Sequence, residues 1–329
     1  MRRRVLITGI TGQDGSYLTE HLLRLGYEVH GMVPLDEHQC PNLVQVQDQV
    51  TLHSGTLLDM ESIHHTILAS MPHEIYHLGA LTFVPEGWKR PLDMFDCVAG
   101  GTLRLLESLR LLAPTCRVFI ASTSEMFGNA PTCPQCETTP FSPVSPYGAA
   151  KLYAHNLAVS YRRSYGMFIA CGIMFNHESP RRAARFVSQK VCEGAVAIKF
   201  GLARELVLGN LDAIRDWGHA ADYVHAMHLM LQAAEPSDYV IATGVGHSVL
   251  ELCAFAFQCL GLDWKPYVRV DQSLYRPVDI GCLIGDATKA RRELGWKPTY
   301  GFREMISELL EAALCRVDGQ TQARRCAAG

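Results

Sequence analysis

The strongest constraint on this chain lies near its start. An apolar run, Arg4–Thr8, stops at Gly9, and Gly9-Ile10-Thr11-Gly12-Gln13-Asp14-Gly15 then opens a stripe of Leu18, Leu22 and Leu25 closed by Gly26. A short apolar run ended by glycine reads as a buried strand, and leucines three and four apart read as one face of a helix. Glycines three apart let the backbone turn tightly and come close to a pyrophosphate. The helix behind them supplies free N–H groups and the positive end of its dipole. Strand, turn and helix in this order predict a dinucleotide site at Gly9, Thr11, Gly12, Gln13, Asp14 and Gly15; the plainer alternative is an ordinary strand-to-helix turn.

The pattern then repeats. Strand signals fall at 27–31, 50–53, 74–78, 117–121 and 168–171, with helix patterns between them, notably at 103–112 and 147–165. Alternation of this kind predicts an α/β fold, a doubly wound parallel sheet of Rossmann type covered on both faces. Beyond Phe175 the rhythm loosens, with strands at 204–208 and 239–242 and helices at 219–233 and 249–260. The expected organisation is a dinucleotide-binding domain over 1–175, completed by about 212–246, and a smaller α/β substrate lobe from 176–211 and 247–329. Residues 320–329 carry no apolar stripe and are expected to fray.

Composition narrows the class. The chain has 329 residues, 48% of them hydrophobic, which is enough for a sizeable core. Thirty basic against 33 acidic residues give no field that would draw nucleic acid or an anionic membrane. The opening Met1-Arg2-Arg3-Arg4 resembles the start of a secretion signal, but Thr8, Gly9, Thr11, Gly12 and Asp14 interrupt the apolar stretch that such a signal needs. No apolar stretch reaches membrane-spanning length, so a cytoplasmic protein is expected. Twelve cysteines are scattered, most among apolar neighbours. Cys133-Pro134-Gln135-Cys136 has the spacing of half a zinc site but no second half, and no metal is expected.

Two further segments carry chemistry. Tyr147 and Lys151 stand four apart at the start of a helix following Ser145-Pro146, so phenol and ammonium share one face. A lysine charge beside a tyrosine favours the phenolate and is expected to lower its pKa, making a proton acceptor for an alcohol that loses hydride to nicotinamide. The strand at 117–121 runs into Ser122-Thr123-Ser124-Glu125. Thr123 and Glu125 are two apart and point to the same side if the extended geometry persists. Thr123 can hold the reacting hydroxyl with Tyr147. Simple alcohol oxidation has no use for a second base, whereas Glu125 could remove a proton next to a new ketone, and burial would raise its pKa for that task. The plain alternative for Glu125 is an exposed loop residue.

Together these motifs resemble the extended short-chain dehydrogenase/reductases, and within them the GDP-mannose 4,6-dehydratases. The resemblance runs from about residue 3 to 300 and is densest in 9–18, 121–125, 145–153, 175–182, 208–219 and 285–296. It implies catalytic roles for Thr123, Glu125, Tyr147 and Lys151. It implies cofactor contacts from the glycine loop and from Thr56, Leu57, Leu78, Gly79, Ala80, Tyr147, Lys151, His177 and Arg182. Ser124, Asn176, Lys190, Arg215 and Arg276 would face the substrate, with the guanidinium groups on its diphosphate. For Arg215 a local ion pair with Asp216 is the alternative, and for Arg276 a capped turn. Ser124 stands where related dehydratases acting on other sugar nucleotides carry aspartic acid, which gives Glu125 both protons to handle.

The implied activity is dehydration of a GDP-linked mannose-type sugar to its 4-keto-6-deoxy derivative, with a cofactor that is regenerated in each turnover. The implied cofactor is NADP, with NAD open beside it, and the implied assembly is a homodimer through the helices near Leu103 and Tyr147, with a tetramer possible. Three departures bear on this. Gly31-Met32-Val33-Pro34-Leu35-Asp36 lacks the arginine pair and serine-rich loop that bind the adenosine phosphate and help build tetramers in the family. Thr56 replaces an acid beside the adenine. Leu81-Thr82-Phe83-Val84-Pro85-Glu86 looks more like related keto-sugar reductases, which opens GDP-manno-heptose as a substrate. The alternatives are a keto-sugar reductase or epimerase, which would not need Glu125, and a non-catalytic sugar-nucleotide sensor, which would need none of the acid-base set.

Overall fold

Val5, Leu6 and Ile7 are at most 1% exposed, so the first strand is covered on both faces, as a parallel sheet demands. The computed structural model describes residues 2–34 and 40–327, with side chains to residue 317. Leu35 and Asp36, part of the reading after the second strand, lie outside the described residues. The first half of the chain gives β1 (Arg4–Thr8), α1 (Gln13–Arg24), β2 (Glu28–Val33), β3 (Val50–Ser54), α2 (Met60–Ser70) and β4 (Glu74–His77). It continues through α3 (Val84–Lys89), α4 (Pro91–Phe95), α5 (Gly101–Leu112), β5 (Arg117–Thr123), α6 (Pro146–Tyr165) and β6 (Ile169–Met174). The second half gives β7 (Asn176–Glu178), α7 (Val187–Lys199), β8 (Leu206–Leu208), β9 (Ile214–His219), α8 (Ala220–Gln232) and β10 (Asp238–Ile241). It closes with β11 (Gly246–Ser248), α9 (Val249–Cys259), β12 (Val268–Val270), β13 (Cys282–Leu283), α10 (Thr288–Leu294) and α11 (Phe302–Ala327).

Seven of these strands form one sheet in the order β10-β6-β5-β4-β1-β2-β3. Every neighbouring pair in it is parallel. The chain runs from β1 outward to β3, then returns to β4 on the other side of β1. The crevice between β1 and β4 is therefore the switch point where sheets of this kind receive ligands.

A second core is built on α7, α9 and α11, with Cys192, Leu252, Phe257, Ile306 and Leu309 fully buried. Beside it β9 pairs with β7, β11 and β13. The sequence placed 247–329 in the smaller lobe, but Ala287, Ala290 and Trp296 pack into the core of the main sheet. The Trp296 indole donates to Asp222 O at 2.8 Å, which ties this segment to α8. The backbone of α11 continues to Ala327, where fraying was expected; alanine, glutamine and arginine sustain a helix without an apolar stripe.

Candidate active site

The turn after β1 brings backbone unusually close to backbone. Gly9 has φ +72°, and a Cβ on Gly15 would stand 2.3 Å from Gly9 O and 2.5 Å from Ile10 Cα. Helix α1 therefore begins directly behind the strand. Its N-cap, Gly12, offers no side chain, so the first N–H groups face outward without a side-chain cap. A pyrophosphate fits this cradle, which supplies N–H donors, the helix dipole and no Cβ in the way. Around it, Gly79 N–H donates to Thr8 Oγ1 at 3.1 Å and Leu57 is buried beside Gly79. Thr56 caps its own turn, accepting from Leu58 N–H at 3.3 Å, and Ala80 is half-buried beyond Gly79.

Asp14, in the first turn of α1, meets His177 of β7 at 2.8 Å. Burial opposes both charges, yet the His177 charge and hydrogen bond hold the Asp14 carboxyl down at about 2. His177 in turn is raised above its ordinary value, because Asp14 outweighs burial. The imidazole is fixed by Phe175 O at 2.7 Å on its other nitrogen and stacks on Tyr223, with ring centroids 4.4 Å apart. Gln13 reaches the same strand, donating to His177 O at 3.0 Å. Arg182 stands 3.0 Å from the Glu178 carboxylate and lies over the Phe186 ring at 3.6 Å. Its Nε–H is not aligned on an acceptor, so the Glu178 contact is an ion pair rather than a hydrogen bond.

The catalytic candidates converge on a cleft of about 640 Å³ at the carboxyl ends of the strands. Asp14, Leu78, Asn176, His177, Arg182 and Lys190 line it too. Strand β5 ends at Thr123, and Ser124–Met126 curl into a 3₁₀ turn. Thr123 Oγ1 accepts Glu125 N–H at 3.3 Å. Thr123, Ser124 and Glu125 therefore all reach the cleft through the turn and not, as the sequence suggested, by alternation along a strand. The other arm is α6. Ser145 Oγ accepts Gly148 N–H at 3.1 Å and Pro146 takes the first helical position, which sets Tyr147 in the first turn and Lys151 one turn later.

Both α6 side chains are buried. Lys151 Nζ donates to Ala121 O at 2.7 Å and lies 6.0 Å from the Tyr147 ring centroid. Burial pushes the Tyr147 phenol up and outweighs its hydrogen bond with Thr123. The lowering of the phenol by Lys151 that the spacing suggested is thus reversed, because desolvation is the larger effect and the ammonium is held on a carbonyl. Burial pushes Lys151 itself down to about 8.

Glu125 is 9% exposed. Its Oε1 accepts from Arg276 at 3.0 Å, and its Oε2 is buried with no hydrogen-bond partner among the described residues. Arg276, expected on the diphosphate, thus reaches the carboxylate from a loop, 273–277, that lines the cleft. Arg215 does not line it. Its guanidinium is buried and donates to Ile214 O and Ile280 O, each at 2.8 Å. Nor does it pair with Asp216, whose carboxylate accepts from the N–H groups of Thr243 and Gly244 at 2.9 and 2.8 Å.

The sequence reading missed Trp88, Lys89, Arg185 and Phe186, all of which line the cleft. Phe83 and Phe186 meet edge to face with centroids 5.5 Å apart, and Arg185 lies 5.1 Å from the Phe83 centroid. The run Arg181-Arg182-Ala183-Ala184-Arg185 was the available signal, since clustered cations near a ligand loop are candidates for an anionic substrate.

A protein-family model described as GDP-mannose 4,6 dehydratase matches residues 6–309. GDP-mannose 4,6 dehydratase 2 of Arabidopsis thaliana is 46% identical over 326 residues, covering 95% of this chain and 87% of that protein. GDP-mannose 4,6 dehydratase of Homo sapiens is 44% identical, covering 94% and 91%. Among solved structures, UDP-glucose 4-epimerase of Thermus thermophilus in complex with NAD superposes with a TM-score of 0.83 at 27% identity, covering 95% of this chain and 99% of that one.

Proposed function

The chain belongs to the GDP-mannose 4,6-dehydratase family, and from that premise we propose that it is a lyase that dehydrates a GDP-linked mannose-type sugar to the 4-keto-6-deoxy sugar. The observation that carries the reading is the buried Glu125 carboxylate, with one oxygen unpartnered among the described residues, in the same cleft as Tyr147. An epimerase or reductase needs one proton carrier at a hydroxyl; two separate proton carriers suit an elimination beside an oxidation.

When bound in the cradle behind Gly9, a nicotinamide cofactor would supply reversible hydride exchange with the sugar. Tyr147 takes the proton of the 4-hydroxyl, and Thr123 holds that oxygen by hydrogen bonding. Lys151, cationic below about pH 8, stabilises the Tyr147 phenolate that accepts this proton. The 4-ketone acidifies the C5 proton, which Glu125 removes. Glu125 then protonates the departing C6 hydroxyl, which leaves as water, since Ser124 is no acid. C6 would then take back the hydride and C5 would take a solvent proton relayed by Glu125, so that one water is lost and no cofactor is consumed. Lys190 and Asn176 face the nucleotide diphosphate, with Arg276 free to exchange Glu125 for phosphate.

NADP is the finer cofactor assignment, with NAD as its alternative. Residues 82–85 line the cleft, and the segment 81–86 that contains them resembles keto-sugar reductases, so GDP-manno-heptose is the second substrate to test. The proposal includes a homodimer through α4, α5 and α6, supported by exposed Leu92, Phe95 and Tyr153 at 82%, 53% and 43%, and a cytoplasmic location. No helix of the described residues is long and apolar enough to cross a membrane.

The test is Glu125→Gln, an isosteric change that removes the base. Oxidation at C4 should survive, seen as reduced nicotinamide absorbance on adding GDP-mannose, while 4-keto-6-deoxy product falls ~10²–10⁴-fold. Unchanged product formation would remove Glu125 from the elimination.

A further inference from the structure

The Cys133–Cys136 pair takes no part in the cleft, and the structure separates its two thiols. Cys136 Sγ lies 3.2 Å from Thr138 Oγ1 and 3.6 Å from Thr139 Oγ1. Cys133 faces Cys282 of β13 instead, 149 residues away in the chain, with the sulfurs 3.0 Å apart. The backbones that carry them are stitched in register. Gln135 N–H donates to Ile284 O and Asp286 N–H to Gln135 O, each at 2.8 Å, while Gln135 Oε1 accepts Ile284 N–H at 3.1 Å. Gln135 is 1% exposed, so this stitching is shielded from water. Cys133 itself is exposed, and a surface hollow of about 180 Å³, lined by 128–133, 135 and 280–282, opens on the pair.

We propose that Cys133 and Cys282 form a reversible thiol–disulfide site whose oxidant is a small disulfide of the glutathione class. The Cys133 thiolate attacks one sulfur of the incoming disulfide and expels the first thiol. Cys282, having lost its proton, then attacks the Cys133 sulfur of the mixed disulfide and expels the second. Two protein thiols are oxidised to one S–S bond, the incoming disulfide is reduced to two thiols, and the two cysteine protons end on those thiols. Burial and the neighbouring Cys133 push the Cys282 thiol up to about 11, which leaves the first attack to exposed Cys133. Bonding needs the sulfurs to close from 3.0 Å to ~2.05 Å, a shift that side-chain rotation supplies while the stitched backbone stays in place. The bond would tie the loop that follows Glu125 to the strand that follows Arg276, the two segments that meet in the cleft.

The experiment is peptide mapping of the full chain without reductant, after incubation with glutathione disulfide. The expected result is a peptide cross-linked between Cys133 and Cys282, short of two hydrogens and reopened by dithiothreitol. It should persist in Cys136→Ser, and Cys282→Ser should carry glutathione on Cys133. A Cys133–Cys136 bond, stable glutathione adducts on both Cys133 and Cys282, or unmodified thiols would overturn the proposal. Mapping of the unmutated chain decides this alone, whether or not the variants fold. Neither cysteine acts in the proposed dehydration, so the failure of one reading leaves the other standing.

Discussion

Lys151 carries its charge in a place that resists it. The side chain is 8% exposed, has one carbonyl partner at 2.7 Å, and is pushed down by burial to about 8. The ammonium is present below that pH and disappears above it, and with it goes the stabilisation of a Tyr147 phenolate. The kcat/KM profile, which reports groups of the free enzyme, should therefore fall above about pH 8. Lys151→Met should lose that limb and turn over ~10²-fold more slowly at neutral pH. A limb that persists in the variant would assign it to another group. At this scale the sequence was legible for side chains close together in the chain. Tyr147 and Lys151 lie on one helix face, and Thr123 and Glu125 on one turn. The Arg276–Glu125 contact joins residues 151 apart, and no local spacing encodes it. The same limit applies to Arg215, whose carbonyl partner on Ile280 is supplied by tertiary packing.

Elements were legible where they are long and periodic. The strand, turn and helix at 4–24 follow from apolar patterning and glycine spacing, and Ser145-Pro146 marks the start of α6 through the cap it makes. Strands β7, β11 and β13 have three, three and two residues, too few for an alternation to show, and they exist only because β9 pairs with each. The turn element makes its own prediction. The atoms that a Cβ on Gly15 would meet, Gly9 O and Ile10 Cα, are backbone and have no rotamer with which to yield. Gly15→Ala should push α1 off the strand, abolish dinucleotide binding in a fluorescence titration, and cost ~1–3 kcal/mol in chemical denaturation. Wild-type affinity in this variant would mean that the cradle is looser than its backbone contacts imply.

Across the whole molecule, the Asp14–His177 pair joins the turn after β1 to β7 and so bears on the packing of the main sheet against the β7–β9 ladder. Asp14 titrates near 2 against an ordinary 3.8, so its stabilisation is full above the ordinary value and is lost as pH falls through about 2. His177 is raised above 6.5, so its share is full below 6.5 and is lost as pH rises through the folded value. The pair therefore stabilises most between about 4 and 6.5. Thermal midpoints of Asp14→Asn should drop most inside that window and converge on wild type below it, as pH falls through about 2; parallel curves at every pH would remove the pair from the stability balance. The parallel sheet at this scale was readable from alternation alone. The return of Trp296 to the first core was not, because it depends on Asp222 O being within reach of its indole N–H.

The central claim is an oxidation and an elimination carried out in one cleft, and isotope exchange tests it most directly. GDP-mannose and GDP-manno-heptose would each be incubated with the protein in deuterated water, with NADP⁺ or NAD⁺ supplied separately, and the products weighed by mass spectrometry. The account predicts a product that has lost one water and gained one solvent deuteron at C5, with no net reduced cofactor. Unchanged sugar nucleotide in every incubation, together with NADPH consumption on adding a 4-keto sugar nucleotide, would contradict it and make the protein a reductase.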